Sequence, residues 1–365
     1  MDSLTETPPW LSPAEAPIGP IDALRRIVYL LDRQLAPAQK AKAFQRAADV
    51  LDELPDGELE AMAAAGRLLD LPGIGKSTGL VIDQARRGEI PDRLAELEAS
   101  SLIPLSDAGQ PYRAALQGDC HLHSNWSDGG APIEHMAATA RALGHAYMVL
   151  TDHSPRLTVA HGLNRERLEN QLLVIAKLNE VFAPFRILSG MEVDILEDGA
   201  LDLDDDLLER LDVVVASVHS KLRMDRDAMT RRMVMAVASP HVDILGHCTG
   251  RKLSSDGVRP SADAELKRPP SAFDPDMVFA ACAQFGTAVE INCRPERQDP
   301  PDELLALALE WECSISIDTD AHAPGQLEWQ PFGCDKAAAH HIDVDQIVNT
   351  WDADTLLAWT TVPTG

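Results

Sequence analysis

The stretch Gly118–Gly129, reading GDCHLHSNWSDG, decides how the chain is understood. In an extended segment successive side chains point to opposite faces, so His121 and His123 fall on one side. Asp128 follows in a turn that Gly129 and Gly130 allow. Immediately before them runs a short segment, Gln117–Cys120, that reads as a strand. The same arrangement recurs six more times along the chain. Tyr147–Thr151 leads to Asp152 and His153, Arg186–Met191 to Glu192, and Val213–Val218 to His219. Val242–Gly246 leads to His247, Ala288–Ile291 to Asn292 and Cys293, and Ser314–Thr319 to Asp320 and His322. In a parallel β/α barrel every strand delivers its last residue to one face, where βα loops build the site. The pattern therefore predicts one mouth lined with imidazoles and carboxylates.

Between these runs lie amphipathic stretches, Ile133–Leu143, Arg165–Val181, Ala200–Leu211, Arg226–Ala238, Asp276–Phe285 and Asp302–Trp311. Strands alternating with helices are the signature of βαβ units and a parallel sheet. Leu253–Ala272, with its Pro269–Pro270 pair, interrupts the rhythm and reads as a loop over the mouth. His341–Trp359 reads as one or two closing helices. The fold class is α/β, a distorted seven-stranded β/α barrel over residues 112–365, preceded by a small all-α domain. Residues 1–20, rich in Pro, Ser and Glu, read as a flexible leader, 21–99 as the helical domain and 100–111 as a linker.

The ligand candidates are His121, His123, Asp128, His153, Glu192, His219, His247, Asp320 and His322, six imidazoles and three acids among 12 histidines in the chain. Three sites of three or four protein ligands need about that many if one carboxylate bridges. Imidazole with carboxylate and no thiolate suits Zn²⁺, Mn²⁺ or Fe²⁺, so two to three divalent ions are expected. A single His at a strand end is more often structural; so many after apolar runs are not independent accidents. His135, His145, His161, His241, His340 and His341 read as ordinary surface or helix-end residues. A phosphate substrate also needs cations that are not ligands. Arg251 and Arg294 follow strand ends, Lys221 is a further candidate, and a guanidinium matches phosphate with two parallel hydrogen bonds.

The segments HLHSNWSDG, TDHS, GMEVDIL, ASVHS, DILGHCTGR and DTDAH resemble the PHP (polymerase and histidinol phosphatase) superfamily, above all the PHP domain of bacterial family X DNA polymerases. The resemblance covers residues 115–360. It implies a trinuclear metal site and hydrolysis of phosphate esters, either phosphomonoesters or 3′-terminal nucleotides of DNA. It further implies one site on His121, His123, Glu192 and Asp320, a second on Asp128, His153 and Glu192, and a third on His219, His247 and His322.

In the helical part Leu24, Ile27, Val28 and Leu31 share a face, as do Phe44, Ala47, Ala48 and Leu51. Leu71–Gly79, LPGIGKSTG, lies between helical stretches Leu59–Leu69 and Ser77–Arg87. It fails the phosphate-loop template, because Asp70 stands where the first Gly belongs. A tight Pro-Gly turn before a helix instead exposes backbone N–H groups to a nucleic-acid phosphate. The stretch resembles a helix-hairpin-helix motif, which implies DNA contacts at Gly73, Gly75, Lys76 and Thr78; a packing turn that binds nothing is the alternative. From Arg87 to Tyr112 there is no room for a nucleotidyl-transfer palm domain, so polymerase activity is not expected.

The 365 residues carry a formal net charge of -26, which argues against coating nucleic acid by bulk electrostatics. None of the six cysteines has CxxC spacing, and no apolar run is long enough to span a bilayer, so a reduced cytoplasmic setting without a membrane partner is expected. Three functions compete: a phosphoesterase acting as a 3′-5′ exonuclease or 3′-end phosphoesterase, a small-molecule phosphomonoesterase, and a non-catalytic DNA-binding accessory protein. The complete ligand set argues against the last. Oligomeric state is not legible.

Overall fold

Leu24, Ile27, Leu30 and Leu31 sit on one stripe of their helix, and burying that stripe organises the N-terminal part. The computed structural model describes residues 7–13, 16–254 and 264–361. The chain divides into two units, Met1–Ile103 with Pro324–Gln326, and Pro104–Ala323 with Leu327–Gly365.

The first unit holds α1 (Pro20–Arg33), α2 (Ala38–Asp52), α3 (Glu58–Ala64), α4 (Lys76–Arg86) and α5 (Asp92–Ser100). Phe44, Ala47, Ala48 and Leu51 of α2 and Val81 and Ile82 of α4 complete its core, while Val28 is only partly buried. The helix expected over Leu59–Leu69 stops early. Gly66 takes a left-handed φ of 67° that ends α3, and a single 3-10 turn, Leu68–Asp70, follows. The expected leader is not free throughout: Trp10 packs into the core, and Arg26 Nη1 donates to the carbonyls of Trp10 and Leu11.

The second unit begins with α6 (Gln110–Ala115), α7 (Ile133–Ala142), β1 (Tyr147–Leu150), α8 (Arg165–Phe182) and β2 (Arg186–Asp194). Next come α9 (Asp205–Leu208), β3 (Val213–Ser217), α10 (Arg226–Val237), β4 (Ile244–Leu245), β5 (Lys252–Leu253) and β6 (Leu266–Arg268). The remainder is α11 (Pro275–Phe285), β7 (Ala288–Asn292), α12 (Asp302–Glu310), β8 (Ile315–Asp318), α13 (Gln330–Ala339) and α14 (Ala353–Thr360). Asn164, Asp225, Asp274 and Asp352 cap α8, α10, α11 and α14 by accepting first-turn N–H groups. The helix expected over Ala200–Leu211 shrinks to α9. Asp202 there accepts from Ser154 Oγ and Arg156 N, and such side-chain bonds compete with helix formation.

Six strands pair in parallel in the order β1-β2-β3-β4-β7-β8. Every residue of β1, β3, β7 and β8 is buried, as expected for a parallel sheet covered on both faces. The first expected strand, Gln117–Cys120, is not a regular one. Toward β1 it keeps backbone bonds, with Val149 N donating to Asp119 O, but toward β8 side chains take over: Cys120 N donates to Asp318 Oδ1, and Asp119 Oδ1 accepts from Thr319 N. Leu122 nevertheless makes parallel bridges to both Leu150 and Ala321, at the two edges of the sheet. Tyr147, Val213 and Ala288, at the amino ends of their strands, pack against Val348, Ala353 and Leu356. The carboxyl ends are left for the site. In the expected loop Leu253–Ala272, the arms β5 and β6 pair antiparallel, and residues 255–263 lie outside the described residues.

Candidate metal centre

Glu192 lies inside β2, and His153, His219 and His247 stand just past the ends of β1, β3 and β4. Parallel register aligns these ends, so residues far apart in sequence surround one carboxylate. Glu192 Oε1 is 2.8 Å from His247 Nε2 and 3.2 Å from His219 Nε2. Its Oε2 is 2.9 Å from His153 Nδ1, 3.4 Å from His121 Nε2 and 3.6 Å from His123 Nε2. At the rim, Asp128 Oδ1 is 3.4 Å from His322 Nε2 and 3.5 Å from His153 Nε2. His123 Nε2 lies 3.5 Å from Asp320 Oδ1.

Three groups of donor atoms are close enough to share an ion: His121, His123 and Glu192; His153, Glu192 and His219; and His123, Asp128, His153 and His322. Hydrogen bonding does not account for this crowding. His121 Nε2, both nitrogens of His123, both of His219, His153 Nδ1 and Glu192 Oε2 are buried without a hydrogen bond of acceptable geometry. Buried polar atoms are almost always satisfied, and cations within these groups would satisfy one nitrogen of each imidazole together with Glu192 Oε2. The donor set therefore fits divalent metal ions, with Glu192 available to two of the groups. The expected groupings are corrected: Asp320 and His247 fall in none of the three groups, Asp128 groups with His123, His153 and His322 and not with Glu192, and His219 groups with His153 and Glu192 and not with His322. His247 hydrogen-bonds Glu192.

Electrostatics agree with that arrangement. Burial alone would push the Glu192 carboxyl up, but the imidazoles of His219, His121 and His153 outweigh it and hold it well below the usual range. Burial lowers His123 far below an ordinary imidazole, reinforced by His322 and His153, which keeps its nitrogens available as donors. Burial would also lower His219, yet Glu192 and Asp194 raise it to about 9. Asp320 and His247 adopt positive φ values of 51° and 22°. For non-glycine residues this costs of order 1–3 kcal/mol each and is held only by surrounding structure.

Several contributors escaped the sequence reading. Glu290 Oε1 is 2.6 Å from His121 Nδ1, and its Oε2 accepts from His247 N and Asn292 Nδ2. It orients His121 so that Nε2 faces Glu192, the usual work of an outer carboxylate. The signal was a charge alternating with Val289 and Ile291 in a buried strand. Asp194 Oδ1 accepts from His219 N, and it too sits two residues from an identified candidate. Arg297 Nε donates to Asp320 Oδ2 at 2.9 Å.

Above the donors opens a cleft of about 200 Å³ lined by Asp128, His153, His219, Asp320 and His322 together with Lys252, Arg268, Arg294 and Arg297. Of the three expected cations only Arg294 lines it, with Nη1 3.1 Å from His322 Nδ1. Arg251 instead turns onto backbone, its guanidinium donating to the carbonyls of Arg297 and Gln298. Lys221 faces Glu197 at 3.8 Å. Cys293 is buried, and burial pushes its thiol well up, so it is no reactive thiolate. His145, expected as a surface or helix-end residue, lies just past the end of α7 and is buried, and burial with the nearby Arg113 lowers it to about 3.

In the first unit the turn before α4 has Gly73 at φ 88°, with Gly73, Gly75 and Lys76 exposed. Thr78 is buried, its Oγ1 accepting from Gly75 N and donating to Gly75 O, so it caps the helix and is not presented to a ligand. Among the described residues no helix is long and apolar enough to cross a membrane.

Residues 119–267 match the family model of the PHP domain. A DNA polymerase/3′-5′ exonuclease PolX of Bacillus subtilis (strain 168) is 37% identical over 262 residues, 72% of this chain. The chain spans 43% of that relative's length. A probable phosphatase of Thermoanaerobacter sp. (strain X514) is 29% identical over 216 residues, covering 56% of this chain and 78% of the relative. Among solved structures, a histidinol phosphate phosphatase from Lactococcus lactis, in complex with zinc, L-histidinol and phosphate, aligns with a TM-score of 0.41 at 18% identity. It covers 61% of this chain and 92% of that one. Residues 119–267 of this chain are a PHP domain.

Proposed function

We propose that the chain is a metal-dependent phosphoesterase that acts on phosphate esters at the 3′ end of DNA. The observation that carries the hydrolase reading is the set of buried imidazole nitrogens and the Glu192 oxygen that converge without hydrogen bonds. Zinc, manganese or iron(II) ions held by the nine candidate residues would polarise a phosphoryl oxygen and lower the pKa of a water. Two or three such ions match the three donor groups. The protein's own side chains supply the rest. Arg294 and Arg297 face the cleft and offer guanidinium donors to phosphate oxygens, and Asp320 fixes Arg297 in place. We read the Leu122 bridges to both sheet edges as closing a distorted seven-stranded barrel, which holds the donors rigidly.

The DNA part of the reading rests on two supports. One is the likeness to a relative named as a polymerase and exonuclease. The other is the turn at the start of α4, with Gly73, Gly75 and Lys76 exposed, which we read as a helix-hairpin-helix contact to backbone phosphate. A small-molecule phosphomonoesterase is the second reading. It is favoured by the small cleft volume, about 200 Å³, and by relatives named probable phosphatases that align over 78% of their length.

The test compares a 3′-labelled oligonucleotide with p-nitrophenyl phosphate on metal-reconstituted protein, with Lys76→Glu and His123→Ala variants alongside. Release of 3′ nucleotides that falls in Lys76→Glu, and vanishes in His123→Ala together with bound metal, is expected. Hydrolysis of p-nitrophenyl phosphate alone selects the second reading. No hydrolysis of either ester by metal-loaded protein rejects both.

A further inference from the structure

Lys252 and Arg268 are directly paired across β5 and β6, so both side chains leave the same face of the ladder. Like charges opposite one another destabilise a strand pair, and here both line the cleft above the metal donors. Their compensation is incomplete. Lys252 Nζ is 3.3 Å from Glu296 Oε1, but Glu296 is shared with Arg294, whose Nε is 3.4 Å from Oε2. Arg268 Nε donates to the carbonyl of Gly250, which is polar but carries no charge. Lys252 and Arg294 thus share the Glu296 carboxylate, although Arg294 Nη1 also lies 3.9 Å from Asp320 Oδ1, and Arg268 has no ion pair among the described residues, in a chain whose formal net charge is -26.

The ladder is also held firmly over the site. Leu253 N donates to Glu296 O at 2.7 Å, and Arg251 clamps the carbonyls of Arg297 and Gln298. The segment bearing Arg294, Glu296 and Arg297 and the strand bearing Lys252 therefore form one frame. Arg297, ion-paired to Asp320, stands next to the donors. Lys252 and Arg268 reach the same cleft from the β5–β6 ladder and so offer cationic donors in addition to Arg294 and Arg297.

We propose that Lys252 and Arg268 form a second anion subsite that selects substrates carrying a phosphate beyond the one being hydrolysed. The inference rests on the phosphoesterase reading for the position of the first phosphate. It adds that the neighbouring phosphate completes the unbalanced charge of the β5–β6 ladder. A substrate with a single phosphate leaves this subsite empty and binds through the metal donors, Arg294 and Arg297 alone.

Binding is measured by calorimetry on the metal-loaded full chain, with hydrolysis-resistant phosphorothioate forms of TpT, TpTpT and pTpT. The wild type is expected to bind at least one of the two ligands with the added phosphate about tenfold more tightly than TpT, the value of one charge-assisted contact. Lys252→Gln with Arg268→Gln should erase that preference and leave TpT affinity unchanged. Glu296→Gln should strengthen it, because a competing carboxylate is gone. A preference for TpTpT but not pTpT assigns the subsite to an internucleotide phosphate, and the reverse to a terminal one; both uphold it. Absence of any preference in the wild type, or equal weakening of all three ligands in the double variant, overturns it. Because no turnover is read, failure of the hydrolase reading and failure of this inference remain separate results.

Discussion

Glu290→Gln should weaken metal binding although Glu290 belongs to none of the donor groups. The two Glu290 oxygens receive three donors: His121 Nδ1 at 2.6 Å, His247 N at 2.5 Å and Asn292 Nδ2 at 3.2 Å. Glutamine keeps the volume, so no cavity opens, but its amide nitrogen must face at least one of those donors whichever way it turns. If it faces His121, the ring loses the bond that fixes its tautomer and aims Nε2 at Glu192. If it faces His247, the strained residue at φ 22° loses the acceptor for its backbone N–H. Burial of both partners leaves no water to substitute. Changes of this kind in outer carboxylates typically cost about tenfold to a hundredfold in metal affinity, or about 1.4–2.7 kcal/mol. Competitive titration against a chelating indicator measures it directly, with circular dichroism as a check on folding. A folded Glu290→Gln protein whose metal affinity stays within about twofold of wild type, below the range expected for an outer carboxylate, refutes the reasoning.

Two further outcomes follow from the same geometry. In the metal-free protein His219 is raised to about 9 from an ordinary 6.5. Its folded value lies above its unfolded one, so its contribution to stability is complete below 6.5 and is lost as pH rises through about 9. A bound ion requires the neutral imidazole, so metal loading between those two values should release a proton, read by calorimetry in buffers of different ionisation enthalpy. A buffer-independent binding enthalpy would contradict this. Removing metal with a chelator should lower the melting temperature reversibly. Saturation a thousandfold above Kd is worth about 4 kcal/mol, and each kcal/mol moves a unit of this size by about 2–4 °C. Superimposable melting curves with and without chelator would count against a resident ion.

Much of the site was legible because parallel topology turns sequence position into place. A polar residue after an apolar strand has one destination, the carboxyl edge, and His153, His219 and His247 all reach it. The helical faces of α1 and α2 were readable for a similar reason, since the helix period fixes which residues share a stripe. Gln117–Cys120 was harder, because on its β8 side the side chains of Asp119 and Asp318 replace backbone ladder bonds, and alternation alone does not reveal such a substitution.

The sequence by itself determined the chemistry of the donor set: imidazoles and carboxylates without thiolates, placed after buried strands. Only the tertiary structure decided which donors meet and which cations face them. His322 joined Asp128 because the loop after β8 returns toward the turn after Leu122, and sequence distance carries no trace of that approach. Arg251 was drawn onto backbone carbonyls while Arg297, Lys252 and Arg268 took the cleft. Long side chains on irregular segments follow no period, so the partners available in space settle where each charge ends.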